Sequence, residues 1–354
     1  MEKIVSTVYT LPPPISRLVI PLTAHHLRFT CRAMEPILWH PFKGSAVRGA
    51  FVGVLRRTFC PEWRAAETDA LHVQLCPVCQ LLAAPNDEET PGDVRRPYAI
   101  RPPLDEDLRY EPGREFSFTI TLFGESLIYL PYLVLTAGGM GATGMGRKGA
   151  AGQRGRFAVE RIDSLNPLNG ESVALLGPGE RMVQAVSVPV THEQVMAASE
   201  KALILLAEND NRLVLHFVTP TRMTQDDHKV ERPDPFQLCK GAVLRVADLA
   251  AQYGSGRPTV DGRPLHLKTD IYPHADAVHV VADETRWWDV SGYSNRLERE
   301  QRLGGFVGRV VYQAADWRPL LPWLLWISQT QVGKNAVKGS GIVGVEGMKI
   351  VNGE

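Results

Sequence analysis

His40 stands in "WHPFKGS", immediately ahead of a run with helical periodicity, and Lys43 follows three positions later. An imidazole titrates near neutrality, so His40 is a candidate general base. Lys43 falls where the start of a helix also favours a phosphate. The alternative for His40 is a partly buried loop histidine beside Trp39. A second constellation, Cys60, His72, Cys76 and Cys79, has the spacing C-x11-H-x3-C-x2-C, a candidate tetrahedral set for a structural Zn²⁺. Its alternative is a group of unliganded thiols; if His72 binds metal, it cannot also be the base. The third is "SQTQVGKNAVKGSGIVGV", Ser328 to Val345, where glycines would let backbone N–H groups approach phosphate oxygens and Lys334 and Lys338 would add charge. It is not a nucleotide-binding P-loop: the GxxxxGK[ST] spacing is absent, and Asn335 stands where a hydroxyl would hold Mg²⁺.

Apolar periodicity shows which elements carry these residues. "RLVIPLTAHHLRFTC", from Arg17 to Cys31, reads as a β-rich run, in which His25 and His26 should point to opposite faces, one buried and one exposed. In "FKGSAVRGAFVGVLRRTF" the residues Phe42, Val47, Phe51, Val54 and Leu55 recur at helical spacing. "EFSFTITLF" alternates at period two, "SLIYLPYLVLTAGG" reads as a helix kinked or started at Pro131, and the glycine-rich "GGMGATGMGRKGAAGQRGR" leads to a strand, "FAVERI".

The second half repeats the order with "LVLHFVTPTRM" as strand, "PFQLCKGAVLRVADLAAQYG" as helix, "GGFVGRVVYQ" as strand and "WRPLLPWLLWI" as an apolar helix. The glycine and lysine loop and "GIVGVEGMKIV" close it. Strand, helix, glycine-rich loop, strand at the end of each half fits an α+β fold of tandem ferredoxin-like, RRM-like βαββαβ units. The expected division is 1–165, with a cysteine-bearing insertion, a linker at 166–187, and 188–354. Cys31 and Cys239 read as core residues, as do Trp323 and Trp326. His228 falls in a polar loop.

The 354 residues, 44% hydrophobic and 22% charged, suffice for two globular units and argue against disorder. The net charge is +0, so any polyanion must be met by locally gathered cations. No apolar run reaches membrane-spanning length, and "MEKIVSTVYTLPPPISRL" lacks a signal-peptide core, so the expected setting is cytoplasmic and without membrane contact. Five cysteines, an odd number, point to reduced thiols or a metal set rather than a disulfide framework.

Several motifs resemble the RAMP-superfamily endoribonucleases that process CRISPR repeat transcripts: "HFVTPTRM", "SGYSNRLEREQRLGGFVGRVVY", "QVGKNAVKGSGIV" and, in the first half, "FKGSAVRGAFVGVLRR". The resemblance covers most of the chain and implies tandem ferredoxin-like domains and metal-independent cleavage of repeat RNA, with no catalytic cofactor. It departs at Gln331, where the family often has a histidine, and in the lack of a fourth cysteine in the cluster. Cutting RNA without metal needs a base to take a 2′-hydroxyl proton, while a cation stabilises the developing charge, leaving a 2′,3′-cyclic phosphate and a 5′-hydroxyl. Expected RNA contacts are Arg147, Lys148, Arg154, Arg296, Arg299, Lys334 and Lys338. For Arg296 and Arg299 the alternative is a solvated helix face. The other functional class is a non-cutting RAMP subunit that binds guide RNA beside further CRISPR effector subunits.

Overall fold

The computed structural model describes residues 17–65, 68–83, 94–150, 152–177, 179, 187–225, 228–294 and 299–347. In the N-terminal half, β1 (Ala24–Ala33) is followed by α1 (Gly44–Phe59), β2 (Tyr98–Arg101), β3 (Glu115–Phe123), α2 (Leu130–Thr143) and β4 (Phe157–Leu165). A fifth strand, β5 (Ser172–Leu176), is added at the edge. The sheet order is β2-β3-β1-β4-β5, with every neighbour antiparallel. The first four strands thus have the ferredoxin-like arrangement.

Alternation in β1 sends Leu27, Phe29 and Cys31 beneath the two helices, where Phe29 stacks on Phe118 of β3 at 5.0 Å. Helix α1 buries Val47, Phe51, Val54 and Leu55, the stripe its sequence spacing requires. Pro131 lies in the first turn of α2, where its missing N–H costs nothing, so it starts the helix rather than kinking it.

After α3 (His192–Ala207), capped by Thr191 with Gln194 answering in a capping box, the pattern recurs. It consists of β6 (Arg212–Thr221), α4 (Pro235–Tyr253), β7 (His279–Asp283), β8 (Arg286–Trp288), β9 (Ser291–Ser294), β10 (Arg299–Arg302), β11 (Gly305–Gln313), α5 (Leu321–Thr330) and β12 (Val343–Val345). The sheet runs β7-β11-β6-β12, with β8 also paired to β11. Asp234 accepts the Gln237 N–H at 2.8 Å and Pro235 opens α4, so the start of this helix is written in three residues. Trp323 and Trp326 are buried on α5, and Cys239 on α4.

Four local expectations are corrected. Residues 166–187 are not a plain linker, because Ser172–Leu176 adds to the first sheet. The glycine-rich stretch is not all loop: Gly138 to Thr143 continue α2, which ends only where Gly144 takes a positive φ. The first β-rich run is broken, and Leu18–Val19 pairs instead with Thr259–Val260 of the other half. The segment carrying Arg299 is a hairpin, β9 with β10, rather than a helix face.

Further joints tie the halves. Arg95 pairs with Asp248 at 2.9 Å, Tyr253 Oη donates to the Arg95 carbonyl at 2.6 Å, and Gln331 Nε2 donates to the Ile100 carbonyl at 2.8 Å. Between the polar face of the first sheet and the end of α5 lies a cleft of about 730 Å³, lined by His26, Arg28, Thr121, Gln329 and Gln331 among others.

Candidate active site

The segment before α1 is held from both sides. Ile37–Leu38 pairs with Arg109–Tyr110, and the Arg147 N–H donates to the Leu38 carbonyl at 2.7 Å. His40, two residues further on, is exposed. Its position therefore follows that of the glycine-rich turn after α2, whose bridge between Met145 and Gly155 projects the exposed Arg147, Lys148 and Arg154. Arg154 Nε donates to the Gly146 carbonyl at 3.1 Å, which folds this turn on itself.

Lys43 does not do what its spacing suggested. Its side chain is buried, 2% exposed for the residue as a whole, and its ammonium donates to the main-chain carbonyl and the carboxylate of Asp105, the latter at 3.2 Å. The ammonium also lies 5.7 Å from the Tyr110 ring centroid. Burial by itself would raise the Asp105 carboxyl, but the Tyr110 hydroxyl and Lys43 outweigh it and hold that pKa below its ordinary value. Lys43 is thus a brace for the His40 segment, with its donors already engaged. Its carbonyl accepts the first N–H groups of α1, from Ala46 and Val47.

The C-terminal glycine and lysine loop comes to this helix start. A Cβ on Gly44, the first residue of α1, would lie 1.8 Å from the Lys338 carbonyl oxygen, so only glycine lets the two backbones meet. Phe42 meets Trp288 of β8 edge to face, with ring centroids 6.2 Å apart. Lys334 is exposed, as expected. Lys338 is half-buried, contrary to expectation, because the loop folds inward onto α1. Burial lowers its pKa, and the Arg48 charge on α1 lowers it further. Arg299 lies on β10, while Arg296 falls outside the described residues.

Neither of the paired histidines belongs to this site. They do point to opposite faces, but both faces are covered, so His25 and His26 are both buried where one was expected to be exposed. His25 bonds Thr23 and Ser187 at 3.0 and 2.9 Å, and burial lowers its pKa to about 4. His26 Nδ1 bonds Thr121 at 2.9 Å. Burial, then Arg101 and His25, lower the His26 pKa to about 3, opposed in part by the Gln329 side chain. Lowered this far, both are poor bases near neutrality. His228 is exposed on a short hairpin strand.

The cysteine set does assemble: one ligand atom from each of Cys60, His72, Cys76 and Cys79 lies within 4.8 Å of all the others. These residues fit a Zn²⁺ of structural type, at the far end of α1 from His40. Sequence reasoning missed Asp105 and Tyr110 because they lie 62 and 67 positions from Lys43 and carry no local signal. It also missed Glu62, two residues after Cys60, whose Oε1 lies 3.4 Å from His72 Nδ1.

Both halves are thus βαββαβ units of one strand order, each with a glycine-rich loop leading to its last strand. Residues 22–188 match an N-terminal domain family, AF_1859_N, and residues 215–343 match the family described as CRISPR-associated endoribonuclease Cas6. The C-terminal unit thus carries a Cas6-type sequence pattern. Among solved structures, a partial Cas6-RT-Cas1–Cas2 complex aligns with a TM-score of 0.53 at 11% identity, covering 92% of this chain and 46% of that one. Cas6 of Thermus thermophilus aligns at 0.49 and 13%, covering 92% and 98%. The first of these is a likeness of fold. No curated protein matches.

Proposed function

We propose that this chain binds CRISPR repeat RNA and cuts the precursor transcript without metal, with His40 as the general base. The observation that carries the reading is the meeting of three sequence-distant segments around the start of α1: the His40 segment, the turn bearing Arg147, Lys148 and Arg154, and the loop bearing Lys334 and Lys338. That grouping sets an exposed imidazole on the same segment as a helix start with no acidic residue in its first turn. A phosphodiester there would meet cations from both halves, and the partial positive charge of the helix end would favour the phosphorane-like charge.

His40 would take the 2′-hydroxyl proton, the alkoxide would attack the adjacent phosphorus, and the P–O5′ bond would break with the 5′-oxygen taking a proton from solvent, giving a 2′,3′-cyclic phosphate and a 5′-hydroxyl. Lys43 holds the His40 segment through Asp105 and is assigned a positioning role. Arg147, Lys148, Arg154 and Lys334 are assigned to RNA phosphates, and Lys338 to the loop that carries them. The likeness of fold to a Cas6-RT-Cas1–Cas2 complex favours other CRISPR subunits as partners, and the Cas6 sequence match favours repeat RNA. A cytoplasmic setting accords with this role.

The test is single-turnover cleavage of repeat RNA in EDTA, with end-group analysis of the products beside a binding isotherm. Wild type should cut and leave the cyclic phosphate. His40→Ala should bind as well and cut about 10² to 10⁴ times more slowly. A Mg²⁺ requirement would sink the chemistry. Normal cleavage by His40→Ala would remove His40, and tight binding without cleavage by wild type would favour the guide-RNA subunit.

A further inference from the structure

The segment after α1 presents a stability problem. Ala70–Leu75 is a helix of six residues with no buried side chain, and Pro77–Ala83 adds seven more. Helices this short do not persist in water by themselves. The second is anchored by Val78 and Leu81 in the N-terminal core. The first helix has no such anchor: Leu71 and Leu75 are 60% and 70% exposed. Its attachments include the Gln80 side chain, which donates to the Gln74 carbonyl, and the inward-facing side chains of His72 and Cys76.

Those side chains converge with two others in a particular geometry. A zinc tetrahedron with Zn–S of about 2.3 Å and Zn–N of about 2.0 Å has S–S edges of about 3.8 Å and S–N edges of about 3.5 Å. Cys60 Sγ lies 3.9 Å from Cys79 Sγ and 3.4 Å from His72 Nε2. The sulfur separation is far beyond a covalent S–S bond of about 2.05 Å. Since Nε2 faces the sulfurs, Nδ1 is left on the outer side, where it lies 3.4 Å from Glu62 Oε1. A ligating histidine ordinarily has its other nitrogen held this way, with the carboxylate fixing tautomer and ring orientation.

We propose that Cys60, His72, Cys76 and Cys79 hold one structural Zn²⁺, that His72 fills the position the cluster lacks a fourth cysteine for, and that Glu62 is its orienting carboxylate. The thiols enter as thiolates, releasing their protons to solvent, and all four positions are taken by protein, so the ion has no open site for catalysis. The ion would clip the C-terminal cap of α1, Cys60, to the short helix that carries His72. This assignment does not depend on the reading of the RNA site.

The experiment uses the full chain, purified with reductant from zinc-supplemented cells. Elemental analysis should give about one Zn per chain, released when the thiols are modified with a mercurial. Zinc stripped and replaced by Co²⁺ should give the intense visible bands of a tetrahedral ion with thiolate-to-cobalt charge transfer. His72→Cys should keep the metal and His72→Ala should lose it. Glu62→Gln should keep the stoichiometry with affinity lowered about 10–100-fold. If the stripped protein does not stay folded, release from the intact chain still decides. Absence of stoichiometric zinc, an octahedral cobalt spectrum, or full zinc retention by His72→Ala would each overturn the assignment, and unchanged affinity in Glu62→Gln would remove Glu62 from it.

Discussion

Buried and exposed histidines respond to acid in different ways, and the pair on β1 gives the chain a pH signature of its own. In the folded state His25 and His26 take up protons only near about 4 and about 3, against 6.5 as the ordinary value. Between these limits the unfolded chain holds more protons than the folded one, so unfolding consumes protons and falling pH favours it. Stability should therefore be intact above about pH 6.5 and fall as the pH drops from there, by up to about 1.4 kcal/mol per pH unit for each histidine. Urea unfolding measured in steps from neutral to mildly acid buffer checks this. His26→Gln should flatten the slope even though it lowers stability at neutrality by losing the Thr121 bond. An unaltered slope would mean that His26 is not the group being titrated.

At the scale of elements, the last loop before β12 is closed by its own backbone. The Val332 N–H donates to the Gly341 carbonyl at 2.9 Å, and a Cβ on Gly341, whose φ is +77°, would lie 1.8 Å from the Val332 carbonyl. Gly341→Ala should thus cost about 1–3 kcal/mol for the conformation, with more for the clash. Chemical denaturation checks it, and a variant as stable as wild type would contradict this packing.

The long elements were legible in the sequence because their pattern extends over several turns or pleats: α1, β3, β6 and α4 stand where periodicity put them. The second strand of each unit, Tyr98–Arg101 and His279–Asp283, was not placed. Each is only four or five residues long and lies at a sheet edge, without alternation to distinguish it. Helix α3 was missed although "THEQ" spells its capping box. Of the site, His40 and the two glycine loops were visible because residue type alone marks them. That Lys43 is engaged by Asp105, and that Lys338 turns inward, depends on long-range packing that no local pattern encodes.

Over the whole molecule the formal charge is +0, so attraction for RNA must come from the local group of cations rather than from a general field. Binding should weaken with salt, and Lys334→Ala should reduce the slope of log K against log salt by about 0.7 to 1 with the fold intact. Lys334 is the clean probe, since Lys338 is partly packed. Binding isotherms at several salt concentrations decide it, and an unchanged slope would take Lys334 off the phosphates. The way the halves are joined bears on a different matter. Gly44 abuts the Lys338 carbonyl, Gly124 the Tyr253 carbonyl and Gly254 the Pro21 carbonyl, while Gln331 reaches the Ile100 carbonyl. A carbonyl is supplied by any residue, so one side of each joint places no demand on the identity of its side chain. Mutation can drift across those surfaces while the two units keep their seating, provided that a few glycines persist. A scaffold joined through main chain in this way can keep its shape in relatives with little sequence in common, and leaves its loops free to vary.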